Sequence, residues 1–165
     1  SHEKMEEELG QAAATDLVTG LPDRDFFNRV LLPRAIDSGE SFTLAVFDVA
    51  HFTAMIAGGE VNEARRVLYK LSEAIKSAAP EDAACARFGD DEVCALMPGQ
   101  NEEAAYNVAE KVLELVSDEP EVFEVDVGVA EYPARASDAG GLVSEVLTAL
   151  NMAKRVGGSG IVVAR

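Results

Sequence analysis

Apolar side chains between residues 62 and 79 fall at Ala64, Val67, Leu68, Leu71 and Ile75, the three-and-four spacing that lines one face of a helix. Ala105, Val108, Ala109, Val112 and Val116 repeat that spacing and predict a second amphipathic helix over 102–116. Shorter stretches read as strands. Residues 42–47 form an apolar run ending in Asp48, and 122–130 alternate as a strand with one polar face. Two further apolar runs, 83–86 and 94–97, flank Gly89-Asp90, the pattern of a β-hairpin. The turn signal Gly20-Leu21-Pro22-Asp23 precedes a helix over 25–36, and Gly157-Gly158 ends a last helix over 142–156 before a final strand at 161–164. Residues 5–14 read as a short acidic helical end without an apolar face of its own.

After the lead helix the order is strand, helix, hairpin, helix, strand, helix, strand. That order predicts an α+β fold of the ferredoxin-like, palm type, with a central, mostly antiparallel sheet and helices packed on it. Residues 1–15 are expected to be the stub of a connector from an upstream domain, with Ser1-His2 as a tag remnant, and 16–165 a single domain.

Charge narrows the function. Fourteen basic against thirty acidic residues give a net charge of −16. Nucleic-acid affinity comes from Lys and Arg releasing counterions, so nucleic acid is excluded as a partner, and an anionic membrane surface would repel the chain. No apolar run reaches membrane-spanning length and no secretory signal is visible, so the segment is expected to be cytoplasmic. The two cysteines, Cys85 and Cys94, lie at mirrored distances from the Gly89-Asp90 tip, where they would face each other across the hairpin. Two reduced, half-buried thiols are the expectation in that compartment.

The hairpin tip carries the candidate chemistry. Arg87-Phe88-Gly89-Asp90-Asp91-Glu92-Val93 sets three acidic residues in a row beside a glycine. Such a tip reads either as a solvated acidic turn or as part of a hard-cation site, with the glycine admitting close backbone approach. Asp48 offers a partner, because a ferredoxin-like order sets the first strand beside the hairpin. Asp48 and Asp91 would then share a cation, with the Val49 carbonyl as a third oxygen, as in magnesium-dependent nucleotidyl transfer. A helix cap or strand-end turn is the alternative for Asp48. His51 reads as a loop residue.

Four segments in order give the chain a resemblance. Asp16-Leu17-Val18-Thr19-Gly20-Leu21-Pro22-Asp23-Arg24, Phe47-Asp48-Val49-Ala50-His51-Phe52, Val127-Gly128-Val129-Ala130-Glu131-Tyr132-Pro133 and Ala153-Lys154-Arg155 resemble segments of the GGDEF family. These diguanylate cyclase domains condense two GTP molecules into cyclic di-GMP. The resemblance spans almost all of residues 15–163 and implies the palm-like fold derived above. It implies Mg²⁺ or Mn²⁺ on Asp48, Val49 and Asp91, nucleotide contacts from Phe52, Gly89 and Lys154, and Glu92 in the place of the acid that helps activate the attacking 3′-hydroxyl. Thr19-Gly20-Leu21-Pro22 is a variant associated with domains fused to EAL phosphodiesterases, which implies such a partner, or another signalling domain, in the same chain.

The departures weigh against activity. The signature reads Gly89-Asp90-Asp91-Glu92-Val93, so Asp90 replaces the second glycine and adds bulk and negative charge where backbone should approach phosphate. Thr53 stands for the family's phosphate-binding lysine, and Gly158 for an arginine four residues after Lys154. Each lost charge-assisted contact costs about 1.5–3 kcal/mol, and two together reduce affinity on the order of 10²–10⁴. The guanine-contacting asparagine and aspartate align with Ile56 and Arg65. Guanine N1 and N2 hydrogens need acceptors; Arg offers donors and Ile neither. The R-x-x-D product-inhibition site is replaced by Pro80 and Ala83, so no inhibitory site is expected. The resemblance therefore implies a degenerate GGDEF domain with a vestigial Glu92, acting as a regulatory or dimerising module. Its alternatives are a metal-dependent GTP sensor and a weakly active cyclase, for which a homodimer would be obligatory.

Overall fold

The computed structural model describes residues 15–121 and 123–165. The expected connector helix over 5–14, and Val122 at the expected start of a strand, lie outside them. Five strands form one sheet: β1 (Phe42–Val49), β2 (Ala84–Arg87), β3 (Glu92–Pro98), β4 (Val125–Tyr132) and β5 (Ile161–Val163), in the order β2-β3-β1-β4-β5. All neighbours are antiparallel except β4 and β5, which run parallel. The predicted α+β, mostly antiparallel architecture is the observed one.

β1 occupies the centre because every one of its residues is apolar enough, or protected enough, to be buried on both sides. Its pleat sorts them. Ala45, Phe47 and Val49 face one core, and Phe42, Leu44 and Val46 the other. Over the first face lie α3 (Val61–Ala78) and α4 (Glu102–Ser117), contributing Leu68, Leu71, Ala109 and Val112. Over the second lie α1 and α5 (Ala139–Val156), contributing Phe27, Leu142, Val146 and Leu150. Helix α1 runs through Arg24–Phe26, a π-turn at Phe27–Leu31 and Leu32–Asp37. Pro33 lacks an N–H and crowds the carbonyl of the preceding turn, which accounts for the altered register just ahead of it.

Two expectations are corrected and one element is added. The cysteines do not face each other: Cys85 pairs with Ala95 and Cys94 with Ala86, one position off the mirror. In a strand that single step reverses the face, so Cys94 is buried in the α1/α5 core while Cys85 packs toward α3 and α4. Burial pushes the Cys85 thiol up to about 11 and the Cys94 thiol well above its ordinary value, so neither is a ready nucleophile. His51 is a turn residue, as expected, and leads at φ 63°, in the left-handed region, into a helix that the sequence pattern did not predict, α2 (Phe52–Ala57). Six residues are too few to show a periodicity. Helix α5 starts at Ala139, three residues earlier than its apolar pattern, because Asp138 caps it by accepting from Gly141 N at 2.7 Å.

Gly128 on β4 sets the height of α5. A Cβ there would lie 2.4 Å from the Val146 carbonyl oxygen and 2.6 Å from Leu150 N, both backbone atoms. The helix therefore rests directly on the sheet. Its last turns reach the end of β1. Among the described residues, no helix is long and apolar enough to cross a membrane.

Candidate active site

The C-terminal end of β1 meets the hairpin tip through backbone pairing. Asp48 stands opposite Glu92 of β3 on one side and Asp126 of β4 on the other, and Val49 N donates to the Asp91 carbonyl at 3.0 Å. This register brings the predicted pair together. Asp48, Asp91 and Glu92 each offer a carboxylate oxygen within 4.8 Å of the others. Asp48 is the buried member, only 2% exposed. It caps no helix, since α2 begins from His51 without a side-chain cap.

Lys154, from the last turns of α5, places Nζ 2.9 Å from Asp48 Oδ2. The two charges are paired at a distance short enough for a charge-assisted hydrogen bond. Burial and, after it, the Asp91 charge push the Asp48 carboxyl up to about 7 against the pull of Lys154. Glu92 is raised for the same two reasons. Lys154 is held charged: partial burial works against its ammonium, but Asp48, Asp91 and Glu92 outweigh it. A buried carboxylate amid two further carboxylates is a donor set of oxygens alone, which suits Mg²⁺ or Mn²⁺.

The tip is held in place by Arg87. Its Nε donates to Gly89 O at 2.8 Å, Nη2 to Asp90 O at 2.6 Å and Nη1 to Asp16 Oδ1 at 2.8 Å. Asp16 in turn accepts from Thr19 N and Oγ1, both at 2.8 Å. Burial raises the Asp16 carboxyl, but the Thr19 bonds and Arg87 hold it below the usual range. Neither Asp16 nor Arg87 was singled out as a functional residue in the sequence. The signal was present, in an acid three residues before a threonine and an arginine two before the tip glycine. Gly89 serves the tip itself: the Glu92 carboxylate folds over it, 2.3 Å from where a Cβ would stand.

Two cavities flank the tip and share Phe52 and Thr53. One, of about 260 Å³, is lined by Asp48, Val49, His51, Asp91, Asp126 and Lys154 as well. The other, of about 420 Å³, collects Ile56 and Arg65 together with Val18, Val61, Leu68, Arg87 and Asp90. Thr53, Ile56 and Arg65, the positions where the chain departs from the expected nucleotide contacts, thus do converge on one space. Asp90 reaches it too, but its side chain is 96% exposed and lies 3.5 Å from Arg24. Gly158 lies past the end of α5 at φ 73°, in the left-handed region, and Pro80 and Ala83 close a turn through Ala83 N to Pro80 O.

The family model described as diguanylate cyclase, GGDEF domain, matches residues 13–159. YhcK, an uncharacterised protein of Bacillus subtilis, is 27% identical over 139 residues, which cover 77% of this chain and 39% of YhcK. The cyclic di-GMP phosphodiesterase NbdA of Pseudomonas aeruginosa is 25% identical over 158 residues, 90% of this chain and 20% of NbdA. The chain thus spans well under half the length of these curated relatives. The solved structure of the diguanylate cyclase SiaD of Pseudomonas aeruginosa, in complex with its activator SiaC, aligns with a TM-score of 0.82 at 29% identity, over 99% of this chain and 66% of that one.

Proposed function

Because the chain belongs to the GGDEF domain family, we propose that it is a regulatory member of cyclic di-GMP signalling that retains the cation half of the nucleotide site, has lost the guanine half, and forms no cyclic di-GMP. The observation that carries this reading is the larger cavity. Ile56 and Arg65 stand in it, and neither can accept the hydrogens of a guanine Watson–Crick edge. Thr53 gives the shared wall a hydroxyl in place of a charge, so triphosphate binding leans on the cation and Lys154 alone.

In this reading Asp48, the Val49 carbonyl and Asp91 hold Mg²⁺ or Mn²⁺, which when bound neutralises phosphate charge. Glu92 is the vestige of the group that assisted deprotonation, and Phe52, Gly89 and Lys154 face the nucleotide. The regulated partner is an EAL-type phosphodiesterase or other signalling domain in the same chain, or a second copy of this domain. Incubation of the protein with GTP and Mg²⁺ or Mn²⁺, followed by chromatographic product analysis, is expected to yield no cyclic di-GMP. Accumulation of product that Asp91→Ala abolishes would overturn this conclusion.

One observation favours a second use of the site. The three carboxylates remain gathered within 4.8 Å, where the single ammonium of Lys154 offsets only part of their mutual repulsion. Metal-dependent GTP binding without turnover, read out by the attached partner, fits that retention.

A further inference from the structure

We infer that Lys154 is a tethered cation that fills the carboxylate cluster until a divalent ion displaces it, and that its release is what supplies an ammonium to an incoming phosphate. The inference rests on the cation reading above. Its starting point is the contact itself: Nζ lies 2.9 Å from the buried Oδ2 of Asp48, with Asp91 and Glu92 alongside. One ammonium is a poor match for three carboxylates. It brings a single charge and at most three N–H donors. A divalent ion brings twice the charge and takes six or more oxygens at once. Both cannot hold the same oxygen, so one must leave.

The fold decides how it leaves. Gly128 lets α5 pack backbone against backbone on β4, so a side-chain swing asks less of the fold than a shift of the helix. The lysine side chain is 39% exposed and has four rotatable carbons leading to water, whereas Asp48 is enclosed. Release is therefore a swing of the lysine. It moves into the smaller cavity, which Lys154 itself lines with Thr53 and where a phosphate on the cation would sit. Binding of cation and of phosphate are then coupled: the first frees the group that the second requires, and by linkage each strengthens the other.

The probe is Mn²⁺ alone, titrated into the protein by calorimetry and by the electron paramagnetic resonance of free Mn²⁺. Lys154→Met removes the tethered charge and keeps the apolar stem; it is expected to bind Mn²⁺ about tenfold more tightly than wild type. Arg24→Gln, which removes a nearby positive charge outside the cluster, is expected to change affinity by less than about twofold. Equal affinities for wild type and Lys154→Met overturn the tether while leaving the cation reading intact, as does an equal gain in Arg24→Gln. If neither wild type nor Lys154→Met binds Mn²⁺ in the millimolar range, the cation reading falls and takes the tether with it. Should Lys154→Met fail to fold, acylation of Lys154 in the wild-type protein, followed by mass spectrometry, decides. Mn²⁺ is expected to speed that reaction and added inorganic triphosphate to slow it again. A rate indifferent to Mn²⁺ overturns the inference.

Discussion

Burial and the neighbouring Asp91 charge hold the Asp48 carboxyl at about 7, well above the ordinary aspartate value of about 3.9. The folded chain thus grips this proton more tightly than the unfolded chain does. By linkage, the charged form of Asp48 subtracts from stability: the cost is absent below pH of about 4, grows through the interval and is complete above about 7. In metal-free buffer, Asp48→Asn is therefore expected to be more stable than wild type at pH 8, by about 1–3 kcal/mol, and nearly equal to it at pH 4. Chemical denaturation at the two pH values measures the difference; a variant weaker at pH 8 would refute the assignment. Arg87 is the opposite kind of residue, a charge that stabilises. Its side chain and that of Asp16 are 17% and 16% exposed, and its guanidinium makes three bonds. Arg87→Ala is expected to cost about 2–3 kcal/mol. Arg87→Lys should not restore it, because one ammonium cannot span the fork from Asp16 to the Gly89 and Asp90 carbonyls.

Among the elements, α5 depends most on a single position. A methyl group at Gly128 would press into the Val146 carbonyl and Leu150 N, which are backbone and cannot rotate aside. Gly128→Ala is expected to lose about 2–3 kcal/mol of stability, measured by thermal or denaturant unfolding. It should also loosen Lys154 from Asp48, visible as faster acylation of the lysine than in wild type. The long helices and the buried strand were legible in the sequence because their periodicity covers ten or more residues or an unbroken apolar run. Helix α2 was not, since six residues show no period and its entry depends on one left-handed residue, His51. The facing of Cys85 and Cys94 failed for a related reason. Distance from the tip fixes which residues are near one another, but strand register fixes the face, and a one-residue offset reverses it. At the site, Asp48 and Asp91 were legible as chemistry at strand ends. The roles of Asp16 and Arg87 were not, because they act across 71 positions of chain.

For the molecule as a whole, two adjoining cavities flank the hairpin tip and share Phe52 and Thr53. The acidic one gathers the carboxylates of Asp48 and Asp91; the larger one is lined by Ile56 and Arg65. If the cation half still works, GTP with Mg²⁺ should give a measurable but weak calorimetric heat that Asp48→Ala removes, with little preference for GTP over ATP. Strong GTP selectivity would show that guanine is read by some other group and would argue against the loss of base recognition.

The clamp between Asp16 and Arg87 bears on how such a domain would be addressed from outside. Asp16 N donates to Leu21 O, Arg87 N donates to Pro22 O, and the two side chains close the loop at 2.8 Å. The point where the chain enters the domain and the acidic tip are in this way one stiff strut. A displacement of residues 16–22 would therefore bear on the Gly89 and Asp90 carbonyls, next to Asp91, through bonded contacts rather than through a ligand.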